Sequence, residues 1–169
     1  MYLSPRPLTR EDDFTAFSSN SVEQTAWLVN HARQAHAARS AYVMVVTPER
    51  SREVVAYYAW SMASVGTAQL PDRAARGVGH LAQPFALLAR LAVDSRHEGR
   101  GLGHALLADV VSRTVAVADS IGCRGLLVHC ESSAARAFYL HALPEFEALP
   151  IDALHLTVLT KDIRRALGG

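Results

Sequence analysis

"LARLAVDSRHEGRGLGHALL" (residues 88–107) runs from an apolar segment through a polar turn into a second apolar segment, with Gly99, Gly101 and Gly103 at alternate positions. Glycine is a poor helix interior residue, about 1 kcal/mol worse than alanine. Three of them at the mouth of a helix mean that the backbone turns left-handed there or that something approaches it closely. A strand ending in such a turn and opening a helix is a device for holding phosphate. The first helical N–H groups have no partner within the helix, and the helix dipole adds positive potential. The stretch therefore asks for a phosphorylated ligand. Two familiar forms of the device do not fit. The dinucleotide pattern G-x-G-x-x-G needs an acid ending a second strand about 20 residues on, where this chain has the far end of a helix. The nucleoside-triphosphate loop needs Gly-Lys-Ser/Thr, which is absent.

Working outward from the turn, residues 85–94 read as a buried strand, apolar on both faces except for Arg90. After it, Leu106, Val110, Thr114, Val117 and Ile121 keep helical spacing, which predicts a helix over 102–121 with Gly122 as its C-terminal cap. Upstream, Ser21 followed by Gln24 resembles a capping box, and residues 22–38 read as a helix with Val22, Ala26 and Val29 on one face. "AYVMVV" (41–46) and "EVVAYYAWSMASV" (53–65) make a hairpin of strands. Residues 66–84 read as a loop with one short helix near 72–76. Downstream, 125–130 is a strand, 132–141 a short helix with a serine as N-cap, and 154–160 a last strand followed by a polar tail. This order predicts a mixed α/β sheet with helices on its faces, in a single domain over 1–169.

The composition narrows the classes. No apolar run reaches the roughly 18 to 20 residues of a membrane span. The opening residues lack a basic region followed by an apolar core, so no secretory leader is expected and the cytoplasm is the expected place. Cys123 and Cys130 read as reduced thiols, and the eight histidines fall into no metal spacing, so no metal is expected. The net charge of +1 argues against a wholesale nucleic-acid coat. Lys161 is the only lysine, and residues 71–105 hold five arginines (73, 76, 90, 96, 100) against Asp72, Asp94 and Glu98. Arginine's planar fork suits phosphate, so this local excess agrees with the turn.

The 88–107 stretch resembles motif A of the GNAT acetyltransferases, in which a strand ending Leu-Ala-Val-Asp leads into Gln/Arg-x-x-Gly-x-Gly. The matching residues here are Glu98, Gly99, Arg100, Gly101, Leu102 and Gly103. "ARAFYLH" (135–141) is similar to the family's Ala-x-x-Phe-Tyr helix. More narrowly, "FSSNSVEQTAWL" (17–28), "VVAYYAWSMASV" (54–65), "LLARLAVD" (87–94) and "LHLTVLTKDIRR" (154–165) resemble the GNAT toxins of bacterial toxin–antitoxin pairs, the TacT type. The resemblance implies a GNAT fold, a mixed twisted sheet flanked by helices on both faces. It implies acetyl-CoA as co-substrate, gripped by Glu98 to Gly103, by the strand residues Leu91, Ala92 and Val93, and by Ser132, Ala135 and Phe138. Tyr139 falls where many members keep a general acid. The implied acceptor is the amino group of aminoacyl-tRNA, with Arg33 and Arg90 as candidate contacts to RNA. A ribbon-helix-helix antitoxin and a homodimer are the implied protein partners.

The chain also departs from that pattern. Glu98 replaces the usual Gln or Arg, and a carboxylate beside a diphosphate is unfavourable, so its side chain is expected to point away. Asn20 and Ala56 stand where the toxins carry glycines, and "ALPEF" (142–146) replaces a short Phe-Gly-Phe turn. Arg90 in an apolar strand needs a partner: either a structural Asp or Glu, or an RNA phosphate. These departures keep two rival readings open: a GNAT enzyme acting on a small amine or protein amine, and a catalytically weak acyl-CoA binding module.

Overall fold

The computed structural model describes residues 1–168. Its strands form one seven-stranded sheet in the order β1-β2-β3-β4-β5-β7-β6: Arg6–Pro7 (β1), Tyr42–Val46 (β2), Ala56–Val65 (β3), Gln83–Val93 (β4), Gly125–His129 (β5), Glu147–Leu149 (β6) and Asp152–Leu159 (β7). β4 and β5 pair in parallel at Ala86↔Leu126, Leu87↔Leu127 and Leu88↔Val128. β1 with β2, β2 with β3, β5 with β7, and β6 with β7 pair antiparallel, so the sheet is mixed. The helices are Val22–Ala38 (α1), Asp72–Ala75 (α2), Leu102–Ala118 (α3), Ser133–Ala142 (α4) and Thr160–Gly168 (α5). None is long and apolar enough to cross a membrane. The chain forms two compact units, one of Met1–Ser61 with Ala89–Val110, the other of Met62–Leu88 with the residues from Val111 onward.

In the first unit, helices lie on both faces of the sheet. Side chains alternate along a strand, and in β3 the Tyr57 hydroxyl donates to Gln24 O of α1 at 2.6 Å while the Tyr58 hydroxyl donates to Asp109 of α3, also at 2.6 Å. The core on the α1 side joins Phe14, Phe17, Leu28, Ala32, Val43, Val45, Tyr57 and Ala92. α1 begins where its cap was expected: the Ser21 Oγ accepts from Gln24 N–H at 3.0 Å. Its buried face differs from the expected one. Leu28 and Ala32 are wholly buried, whereas Val22 is 85% and Val29 46% exposed. The face is chosen by the i, i+4 pair that meets β2 and β3, so three apolar residues on another stripe do not decide it.

The second unit buries Val65, Leu70, Ala74, Phe85, Leu127, Leu149 and Leu159 together. Arg73 of α2 clamps it, donating to Glu147 at 2.8 Å and to the buried Asp162 at 2.5 Å. The expected helix over 102–121 stops at Ala118, after which Ser120 and Ile121 N–H both turn back to Val117 O at 3.0 Å. Ile121 is 62% exposed, so nothing holds it on the helical face, and Gly122 is not left-handed and makes no cap. The expected polar tail is a helix, α5, docked through the buried Asp162 and Ile163. β1 and β6 were not expected from sequence. At two and three residues they are too short to carry a pattern.

Candidate active site

The turn after β4 is built on Asp94. Its wholly buried carboxylate accepts from Ser18 N–H at 3.0 Å, from Arg96 N–H at 2.9 Å and from the Arg96 guanidinium at 2.9 Å. Arg96 also reaches Glu53 at 2.6 Å, and Ser95 N–H donates to Ser18 O at 2.9 Å. Burial pushes the Asp94 carboxyl up, but the hydrogen bonds and the Arg96 charge outweigh it and hold the group at about 2. A depressed carboxyl contributes stability that is complete above the ordinary aspartate value and is lost as pH falls through the folded one. The difference corresponds to about 2 kcal/mol. Between pH 5 and pH 2, urea unfolding of the wild type should therefore lose about 2 kcal/mol more than that of Asp94→Asn. Equal losses in the two proteins would show that Asp94 is not the group that titrates.

Past Asp94 a 3₁₀ turn over Ser95–His97 leads to the extended Glu98, and then Gly99 (φ 72°) and Gly101 (φ 81°) are both left-handed. Gly101 O accepts the first bond of α3 from Ala105 N–H at 3.0 Å. The glycine requirement is therefore conformational. A Cβ at either position would meet no protein atom within 4 Å, so the turn faces open space. Left-handed residues alternating with ordinary ones form backbone concavities that hold anions, here at the start of a 17-residue helix. This arrangement fits a diphosphate. Leu102 is buried and Gly103 half-buried within the first turn of α3. In β4, Ala92 enters the core while Leu91 and Val93 are half-buried on the other side of the strand.

The carboxylate of Glu98 accepts from Asn20 Nδ2 at 2.7 Å. The two departures from the family pattern nearest the turn are thus partners, with the amide holding the acid. They stand 78 positions apart in the sequence, so no local pattern couples them.

Arg90 finds a structural partner: its Nη1 donates to Glu23 at 2.8 Å, and its guanidinium lies 5.6 Å from the Trp27 ring centre. Arg33 donates to Thr9 O at 3.1 Å and Asp12 O at 2.5 Å, and stacks over Phe14 at 4.4 Å. Both cations brace the first unit through bonds within it.

In the second unit, Ser132 Oγ caps α4 by accepting from Ala135 N–H at 3.1 Å. One helical turn beyond Ala135 lie Phe138 and the buried Tyr139. The Tyr139 ring stands edge-on to Phe138 at 5.2 Å and to Phe146 at 6.1 Å. Burial drives the Tyr139 hydroxyl well above the usual phenol range, with the negative forms of Cys130 and Glu131 adding to the effect. Like any phenol it holds its proton at neutral pH, and burial makes it hold the proton more tightly. Burial likewise raises the Cys130 thiol, to about 11.

Residues 9–143 match the sequence profile of the acetyltransferase (GNAT) family. The chain is 41% identical over 167 residues to the tRNA-acetylating toxin of Mycobacterium tuberculosis (strain ATCC 25618 / H37Rv), covering 99% of this chain and 98% of that protein. It is 28% identical over 162 residues to a probable toxin TacT of Sinorhizobium fredii (strain NBRC 101917 / NGR234), covering 92% and 90%. The solved structure of AtaT complexed with acetyl-methionyl-tRNAfMet superposes with a TM-score of 0.88 at 22% identity, over 97% of this chain and 98% of that one, which shows a common fold. With motif A on the β4–α3 turn and the Phe-Tyr pair on α4, this chain belongs to the acetyltransferase (GNAT) family.

Proposed function

We propose that this chain is a toxin that acetylates the amino group of aminoacyl-tRNA, using acetyl-CoA. The observation that carries the acceptor assignment is the end-to-end identity with the mycobacterial tRNA-acetylating toxin. The glycine turn and the buried tyrosine carry the donor chemistry. The weak-binder reading rests on Glu98 and on the altered loop over 142–146, and the Asn20 amide that holds the Glu98 carboxylate weakens the first of these grounds.

Acetyl-CoA supplies an acyl group activated as a thioester. The amides of the Gly99–Gly103 turn and the start of α3 bind its diphosphate. The backbone of Leu91 to Val93 orients the pantetheine arm and polarises the acetyl carbonyl, and such orientation contributes several kcal/mol of barrier lowering. Ser132, Ala135 and Phe138 of α4 are the further residues assigned to acetyl-CoA in this scheme. An α-amine has an ordinary pKa of about 8, so a useful fraction is neutral without a strong base. As the C–N bond forms and the C–S bond breaks, the amine proton passes to solvent. Tyr139 gives its proton to the departing sulfur and is then reprotonated from water. Arg33 and Arg90, which also brace the first unit, are the proposed contacts to RNA in this scheme. A ribbon-helix-helix antitoxin as neutralising partner, a homodimeric state and action in the cytoplasm complete the proposal; that both relatives are toxins supports an antitoxin partner and leaves its type, the dimer and the compartment as proposals.

The test is incubation with labelled acetyl-CoA and total charged tRNA, which should label the RNA with wild type. Gly101→Glu should bind acetyl-CoA at least about tenfold more weakly, or about 1.4 kcal/mol. It puts a carboxylate into the concavity and forces a left-handed residue to carry a side chain. A circular-dichroism melt controls for misfolding. Unchanged calorimetric affinity in a folded variant would remove the turn from the donor site, and label on a free amine but not on tRNA would overturn the acceptor.

A further inference from the structure

The opening residues of the chain are pinned along the outside of the first unit. Tyr2 forms an antiparallel bridge with Pro48, and Leu3 N–H donates to the carbonyl of the buried Thr47 at 2.9 Å. From that anchor the Tyr2 side chain reaches the turn after β4. Its hydroxyl accepts from Arg100 Nη1 at 2.8 Å and lies 2.8 Å from His97 Nδ1. The Tyr2 and His97 rings meet edge to face at 5.8 Å. A guanidinium only donates, so the phenol oxygen accepts from Arg100, while its hydrogen bond with His97 Nδ1 fixes the hydroxyl from a second side.

Arg100 stands between the two left-handed glycines, exposed, on the segment that faces open space. Unsupported, such a side chain samples many rotamers and loses that freedom when it grips an anion. Tyr2 takes one of its five N–H groups, and no other described group takes the rest. The remaining donors are free to fork onto phosphate oxygens.

We propose that Tyr2, backed by His97, is a positioning residue of the donor site, holding the Arg100 guanidinium ready for the diphosphate of acetyl-CoA. The inference rests on the donor-site reading above and adds to it a residue 98 positions away in sequence.

Calorimetric binding of acetyl-CoA to wild type, Tyr2→Phe, Arg100→Ala and the double variant tests it. Tyr2→Phe keeps the ring against His97 and should weaken binding roughly three- to tenfold, with Arg100→Ala costing at least as much. The double variant should match Arg100→Ala within about twofold, because a hydroxyl with no guanidinium to hold has nothing left to contribute. In the transfer assay, Tyr2→Phe should raise KM for acetyl-CoA and leave kcat unchanged. With S-acetyl-pantetheine, which lacks phosphate, wild type and Tyr2→Phe should share one KM. Wild-type affinity in Tyr2→Phe, losses that multiply in the double variant, or an equal KM rise with acetyl-pantetheine would each overturn the inference. If wild type binds acetyl-CoA and Arg100→Ala binds equally well, the inference falls and the donor site stands. If wild type does not bind it at all, both fall.

Discussion

Tyr139→Phe should lower turnover on charged tRNA by about 10²- to 10⁴-fold, the usual contribution of a general acid, while acetyl-CoA affinity stays within about twofold. The substitution removes one hydroxyl and keeps the ring that packs between Phe138 and Phe146. Core volume is preserved, so melting should hardly move. A phenol holds its proton at neutral pH and burial tightens that hold, so the proton moves only as negative charge builds on the departing sulfur. Removing the donor leaves the thiolate to depart with full charge, which is the step that should slow. A packing role predicts the opposite pattern: a small change in melting temperature and full turnover. A variant that binds cofactor normally and turns over within about threefold of wild type would take Tyr139 out of the mechanism.

The largest loss of stability is expected at Gly125, the first residue of β5. A Cβ there would lie 1.9 Å from Val158 O and 2.9 Å from the Leu159 Cα, both backbone atoms of β7. No side-chain rotation relieves such a contact. Either β7 moves or the antiparallel pairing of Gly125 with Leu159 is lost. Overpacking in a close-packed interior costs about 1–3 kcal/mol and more where the obstacle is rigid, so Gly125→Ala should sit at or beyond the top of that range. For a chain of this size about 3 kcal/mol lowers the melting temperature by roughly 6–12 °C. A melt within about 1 °C of wild type would mean that the strands are not in this register.

Part of this architecture is written locally and part is not. The glycine turn could be read directly, because left-handed backbone before a helix admits few residues, and the two positive φ values fall on Gly99 and Gly101. The start of α1 was readable for the same kind of reason, since the Ser21 cap acts over three residues. Its buried face was not, because Leu28 and Ala32 are selected by strands far along the chain. The end of α3 and the whole of α5 escaped because their boundaries depend on what remains exposed, as Ile121 does, or is drawn into the core, as Ile163 is. The motif match assigned Arg100 to the donor site, but nothing local points to Tyr2. Arg33 and Arg90 show the same limit: an arginine's partner is a tertiary fact, and here the partners are two carbonyls and a glutamate.

The bond between Asn20 and Glu98 also bears on how such a chain changes over time. A carboxylate at the mouth of a diphosphate turn is a burden when nothing holds it, and the Asn20 amide serves the turn twice, donating to Glu98 at 2.7 Å and accepting from Ser95 Oγ at 3.4 Å. Either replacement alone should disturb the turn, and the two together should cost less than the sum. The two positions are therefore expected to be coupled under mutation: Asn20→Gly should cost acetyl-CoA affinity while Glu98 is present and little in a Glu98→Gln background.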